Sequence, residues 1–126
     1  MFSLTTLAAH KRFNIDSIAE AFSVGEFEHV FDELDENIVW IILGEAEFKG
    51  KKDVVNHCEQ VKNYFNSITT NFEIQDTISD YNKIVVMGTA QFIRDSELIS
   101  SVSACDIYEF NNQHQIIKIT SYCIKH

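Results

Sequence analysis

The chain contains no proline and only four glycines among its 126 residues. Breakers are so few that each glycine counts as a boundary: Gly25, Gly44, Gly50 and Gly88 divide the first two thirds. No repeat, low-complexity tract or linker is present, so one domain is expected over residues 1–126, with 1–13 as a loosely ordered or helical extension. Basic residues are scarce as well, with 10 Lys and Arg against 19 Asp and Glu and a net charge of −9. Phosphate binding needs clustered cations, and the one cluster, Lys49, Lys51 and Lys52, reads as a solvated turn. Nucleic acid is therefore not an expected partner. No apolar run reaches the ~20 residues of a membrane span, and Lys11 and Arg12 follow the mildly apolar start instead of preceding it as in a signal peptide. Cys58, Cys105 and Cys123 are odd in number and lack metal-ligand spacing. They read as reduced thiols packed like small hydrophobes, in a cytoplasmic protein. No cofactor and no metal is expected; His29, Asp32 and Glu33 lie on ordinary helix surface.

What is present is a globular composition, with 45% hydrophobic residues and ten phenylalanines beside a single tryptophan. Asn14 or Asp16 can cap a helix carrying Ile15, Ile18, Ala19 and Phe22. Whether that helix reaches back through Leu4 to His10 stays open. Phe27, Val30, Phe31 and Leu34 repeat at helical spacing and predict a second helix, ending in an Asp35-Glu36-Asn37 turn. Ile38 to Leu43 reads as a strand and Gly44 to Lys52 as a loop. Asp53 caps a third helix with Val54, Cys58, Val61, Phe65 and Ile68 on its inner face. Beyond Ser67 the period falls to two. Phe72, Ile74 and Ile78 alternate with polar residues, and turns at 80–83, 94–97 and 111–114 separate the strands that follow. Short turns make the sheet mainly antiparallel, and helices followed by strands define an α+β class. A sheet curved around the helices forms a cone with a cavity at its open end.

Asp106 is the most informative residue. It shares a strand face with Val102, Ala104, Tyr108 and Phe110, so a carboxyl group stands in an apolar stripe. Such a group must be paired, hydrogen-bonded or neutral. The same parity argument gives a pocket lining of Trp40, Ile42, Gly88, Ala90, Phe92, Asp106, Tyr108, Ile117, Ile119, Ser121 and Cys123. The rival reading is a solid core; the small residues Gly88, Ala90, Ala104 and Ser121 favour a void. Asp106 is either a functional acid and ligand acceptor or a structural carboxyl bonded to a neighbour. Tyr108 either donates to a ligand or turns its hydroxyl to the rim. His57 flanks the inner stripe of the third helix and is the one acid–base partner to weigh for Asp106.

Two blocks carry a resemblance. The first runs Gly25-Glu26-Phe27 through Phe31-Asp32-Glu33-Leu34 to Ile38-Val39-Trp40, followed by Gly44 and Gly50. The second is Cys105-Asp106-Ile107-Tyr108-Glu109-Phe110 with Ile116-Ile117-Lys118-Ile119. With the order of elements, over about residues 14 to 124, they resemble the SnoaL-like branch of the nuclear transport factor 2-like superfamily, which includes ketosteroid isomerases and polyketide cyclases. The resemblance implies a curved sheet around a pocket, a homodimer through one sheet face, and a place for Asp106 where those isomerases hold a protonated aspartic acid. It does not carry their other parts: Ile41 or Ile42 stands at the general base and Ile18 at the oxyanion tyrosine. In limonene epoxide hydrolase, a cousin, the closing-strand aspartate corresponds to Ser121, and Arg94 is the one strand arginine for its relay. The leading expectation is binding of a small, mostly apolar molecule with a polar group, held by Asp106 and Tyr108. The alternatives are an isomerase, cyclase or dehydratase using Asp106 with His57, and a non-catalytic dimerisation module.

Overall fold

The computed structural model describes residues 15–126. Asn14, the extension 1–13 and a helix over Leu4–His10 lie outside them. Helix α1 runs to residue 23 and is followed by two short 3-10 turns, Phe27–His29 and Phe31–Glu33. Strands β1 (Leu34–Ile42) and β2 (Ala46–Lys49) precede helix α2 (Lys51–Asn66). Four long strands complete the chain: β3 (Thr69–Asp80), β4 (Lys83–Arg94), β5 (Glu97–Phe110) and β6 (Ile116–Lys125). All six strands form one curved, unclosed sheet in the order β2-β1-β6-β5-β4-β3. Every pairing is antiparallel except β1 with β6, so the sheet is mainly antiparallel and the class is α+β, as expected.

Several local expectations need correction. Phe27 to Leu34 keeps helical spacing but forms 3-10 turns, and Leu34 already opens β1. Residues 35–37 belong to β1 instead of a turn; the β1–β6 register shifts between Leu34 and Val39 and absorbs these polar residues. The loop 44–52 contains β2 and the start of α2, whose N-cap is Gly50, with Asp53 in the first turn. Ile68 falls beyond α2, and Ile78 is half-exposed. The cause at Ile78 is a bulge between Ile74 and Asp76, which reverses the parity of β3 beyond it.

That bulge faces Gly88, whose requirement for glycine is steric. A Cβ there would lie 2.5 Å from the Glu73 carbonyl oxygen. The missing side chain thus lets β3 buckle against β4 where the sheet bends. The concave face carries the core: Trp40, Ile84, Val86, Tyr108, Phe110 and Ile119 meet Ile15, Ile18, Ala19 and Phe22 of α1 and Val54 and Cys58 of α2. One face of α1 is tied to β3 by polar contacts, Thr77 Oγ1 donating to Glu20 at 2.6 Å and Ser79 Oγ to Asp16 at 3.3 Å. Asp16, Glu20 and Ser23 follow at 4- and 3-residue spacing, so Ser23 continues this face down to the sheet.

Candidate functional site

Helix α1 ends in a Schellman motif that sets the height of Ser23. Glu26 N–H bonds to Ala21 O at 2.9 Å and Gly25 N–H to Phe22 O at 3.1 Å, with Gly25 at φ +81°. The helix therefore stops directly over β5. Ser23 Oγ donates to Asp106 Oδ2 at 2.9 Å and lies 2.6 Å from the Tyr108 hydroxyl. A second chain arrives from β1 and β6. Trp40 Nε1 donates to Ser121 Oγ at 3.0 Å, and Ser121, paired with Asp106 across the strands, is its other hydrogen-bonding neighbour.

The direction of both chains follows from proton counting. An indole N–H only donates, so Ser121 accepts from Trp40 and its own proton is free to turn toward an ionised Asp106. While Asp106 is ionised, Ser23 spends its one proton on it, so Tyr108 donates to Ser23. Thr70 Oγ1 is the one buried side-chain polar atom without a partner among the described residues, so these hydroxyls are satisfied. The ionised Asp106 thus receives hydrogen bonds from the protein and gives none. When it carries a proton, that proton can go to Ser23 or into the cavity that the carboxyl borders. Burial pushes the Asp106 carboxyl above its usual range, against the two serine hydrogen bonds that favour the anion. Burial, and then the Asp106 charge, holds the Tyr108 phenol well above its ordinary value and keeps it a donor.

Asp106 lines a cavity of about 370 Å³ at the wide end of the cone. The sheet contributes Trp40, Ile42, Ala90, Phe92, Val102, Ala104, Ser121 and Cys123, and the helical side contributes Phe22, Phe27, His57, Val61 and Phe65. Glu45, on the turn between β1 and β2, stands in the same wall. A recess of about 50 Å³ beside Gly88, Thr89 and Glu73 shares Ser23 and Asp106 with it, enough for a water. Another hollow of about 470 Å³ lies on the side of α2 that carries Val55, Glu59, Lys62 and Asn66, and no strand residue enters its wall.

Eight of the ten site residues expected from the sequence share this wall: Trp40, Ile42, His57, Ala90, Phe92, Asp106, Ser121 and Cys123. Two are corrected. Tyr108 and Ile119 are fully buried, because α1 and Phe22 cover them; Phe22 meets the Tyr108 ring edge-on at 5.9 Å. Gly88 lines only the small recess, and Ile117 is exposed. Cys58 is buried and its thiol is pushed up to about 12 by desolvation. Cys123 is an exposed thiol in the cavity wall instead of a packed hydrophobe. His57 stacks on Phe48 at 4.1 Å and meets Trp40 edge-on at 5.2 Å. Burial lowers its pKa, and the carboxylate that acts on it is Glu45. Ile42 lines the cavity and Ile18 is buried in the core. Arg94 is exposed at the end of β4. Ser23 and Glu45 were not foreseen. They come from the end of a helix and from a turn, where strand parity gives no signal.

No family model and no curated protein sequence matches the chain. Solved structures do. An NTF2-like protein of unknown function from Cytophaga hutchinsonii is 35% identical, with 86% of this chain and 94% of that chain covered and a TM-score of 0.77. An LEH-like epoxide hydrolase from M. tuberculosis is 15% identical (87% and 82% covered, TM-score 0.67). A candidate SnoaL-like polyketide cyclase from Shewanella putrefaciens is 8% identical (85% and 75% covered, TM-score 0.66). The last two share the fold, and the first shares sequence along nearly its whole length. With that identity over the same cone of helix and curved sheet, the chain belongs to the NTF2-like family.

Proposed function

We propose that the protein binds a small, mostly apolar molecule in the cone and anchors one polar group of it on the Asp106 carboxyl. The observation that carries this reading is a cavity of about 370 Å³, walled by aromatic rings, that reaches the Asp106 carboxyl. Its size falls within the range of small-molecule sites. Neutral Asp106 offers its proton to a ligand oxygen, such as a ketone, ether or alcohol. Trp40, the one tryptophan, lines the cavity, so its fluorescence reports occupancy.

The test compares two substitutions in a thermal-shift and fluorescence screen of such compounds. Asp106→Asn keeps a donor facing the cavity, whereas Asp106→Ala keeps none. Ligands are expected to weaken by about tenfold in Asp106→Ala, the worth of one hydrogen bond, and by much less in Asp106→Asn. Equal affinity in wild type and Asp106→Ala would remove the anchor role.

A second reading is an isomerase, cyclase or dehydratase in which Asp106 and His57 exchange protons with the substrate. It is favoured by their presence in one wall and by the epoxide hydrolase and candidate cyclase among the structural neighbours. Its mark is turnover lost in Asp106→Asn while binding survives. The free cysteines suit a reducing, cytoplasmic setting. A homodimer through the convex sheet face is supported by exposed Tyr122 and Ile124 beside Cys105 and Ile107. Sedimentation analysis of wild type against Tyr122→Lys tests it.

A further inference from the structure

The cavity wall is unbalanced in charge. Its ionisable side chains are Asp106 at the inner end, Glu45 on the exposed turn 43–45, the Cys123 thiol and the His57 imidazole. Among the described residues, no lysine or arginine contributes to it. The nearest cation along the strands is Lys125, two residues beyond Cys123 on the same face of β6, and it is exposed and outside the wall. Lys62 belongs to the hollow on the other side of α2. His57 does not supply the missing charge, since burial favours its neutral form.

We infer that the cavity selects its ligands by charge, admitting uncharged and ammonium-bearing molecules and rejecting carboxylates and phosphates. The inference rests on the ligand-site reading above and narrows its ligand class. An anion entering this space gives up its hydration and finds no cation among the described residues in return, while Glu45 and the net charge of −9 oppose its approach. An ammonium group finds the reverse. Glu45 attracts it, and the aromatic side chains of Trp40 and Phe92 stand in the wall for a cation–π contact. Asp106 serves both admitted classes, donating to a neutral oxygen when protonated and accepting from an ammonium when ionised. If the cavity holds a substrate, that substrate arrives as an alcohol, ketone, ester, ether or amine. A preceding step must have removed or masked any free acid.

The test uses three compounds of one shape without aromatic absorbance: 1-adamantanemethanol, 1-adamantanemethylamine and 1-adamantanecarboxylate. Binding to the full chain is measured by calorimetry and Trp40 fluorescence at pH 7.5. The alcohol and the amine are expected to bind at least about tenfold more tightly than the carboxylate, as a like charge within a few ångströms of an acidic wall implies. In Glu45→Gln, a substitution on an exposed turn, the advantage of the amine over the alcohol is expected to shrink. Added salt should shrink it too. A carboxylate that binds as tightly as the alcohol overturns the charge selection and leaves the ligand site standing. An amine advantage unchanged in Glu45→Gln overturns the role of Glu45. Binding by none of the three at millimolar concentration counts against the ligand site itself, and the inference falls with it.

Discussion

Replacing Ser23 by alanine removes the one hydroxyl that joins Tyr108 to Asp106. Tyr108 is fully buried, and its hydroxyl has Ser23 as its partner at 2.6 Å. An orphaned buried hydroxyl costs about 2 kcal/mol and the lost bond to Asp106 about 1 more, so Ser23→Ala is expected to cost about 3 kcal/mol. Tyr108→Phe leaves Ser23 bonded to Asp106 at 2.9 Å and removes a donor without stranding one. Its cost is about 1 kcal/mol. In the double variant no hydroxyl is stranded, and the expected cost is about 2 kcal/mol instead of the additive value of about 4. The coupling of about 2 kcal/mol is well above the ~0.5 kcal/mol at which independent sites add. Urea unfolding at pH 7, followed by circular dichroism and Trp40 fluorescence, measures all four proteins. At roughly 4 °C per kcal/mol, Ser23→Ala also melts about 12 °C below wild type. Additivity within 0.5 kcal/mol would refute the directional chain from Tyr108 through Ser23 to Asp106.

Two further outcomes follow from the site. Burial raises the Asp106 pKa above its value of 3.8 in the unfolded chain, so the folded state holds this proton more tightly. The resulting stability is fully present below pH 3.8 and is lost as pH rises through the folded value. Asp106→Asn, which cannot ionise, is therefore expected to be more stable than wild type at pH 7 to 8, with the gap closing toward acid. Melting curves across pH check this, and a gap that widens toward acid would contradict it. Gly88→Ala places a methyl group 2.5 Å from the Glu73 carbonyl at the β3 bulge. A backbone clash of that kind costs about 2–3 kcal/mol, read by urea unfolding, and a neutral result would show that the bulge can relax.

Some of the site was legible because strand geometry is local. Alternation along β5 put Asp106 on the inner face with Val102 and Ala104, and the small residues Ala90, Ala104 and Ser121 do border the void. The same alternation misled at Ile78, because a bulge adds one residue and exchanges the faces, and the pattern carries no mark of it. Tyr108 shares parity with Asp106 yet lies under α1. Parity assigns a face, but what covers that face is decided elsewhere in the chain. Phe27 to Leu34 shows the limit for helices: spacing of three and four also suits two 3-10 turns leading into a strand.

The sequence by itself determined the α+β class, the aromatic core, the acidic balance of charge and the place of Asp106 in an apolar stripe. Each of these depends on composition or on a period within one element. The tertiary structure alone decided what Asp106 is bonded to. Ser23 is 83 residues away and arrives because Gly25 stops α1 over β5; Trp40 reaches Ser121 because β1 lies parallel to β6. Two donor chains meeting at one carboxyl require four elements held in register. No local pattern encodes that convergence, because its hydrogen bonds form only after the core has closed around them.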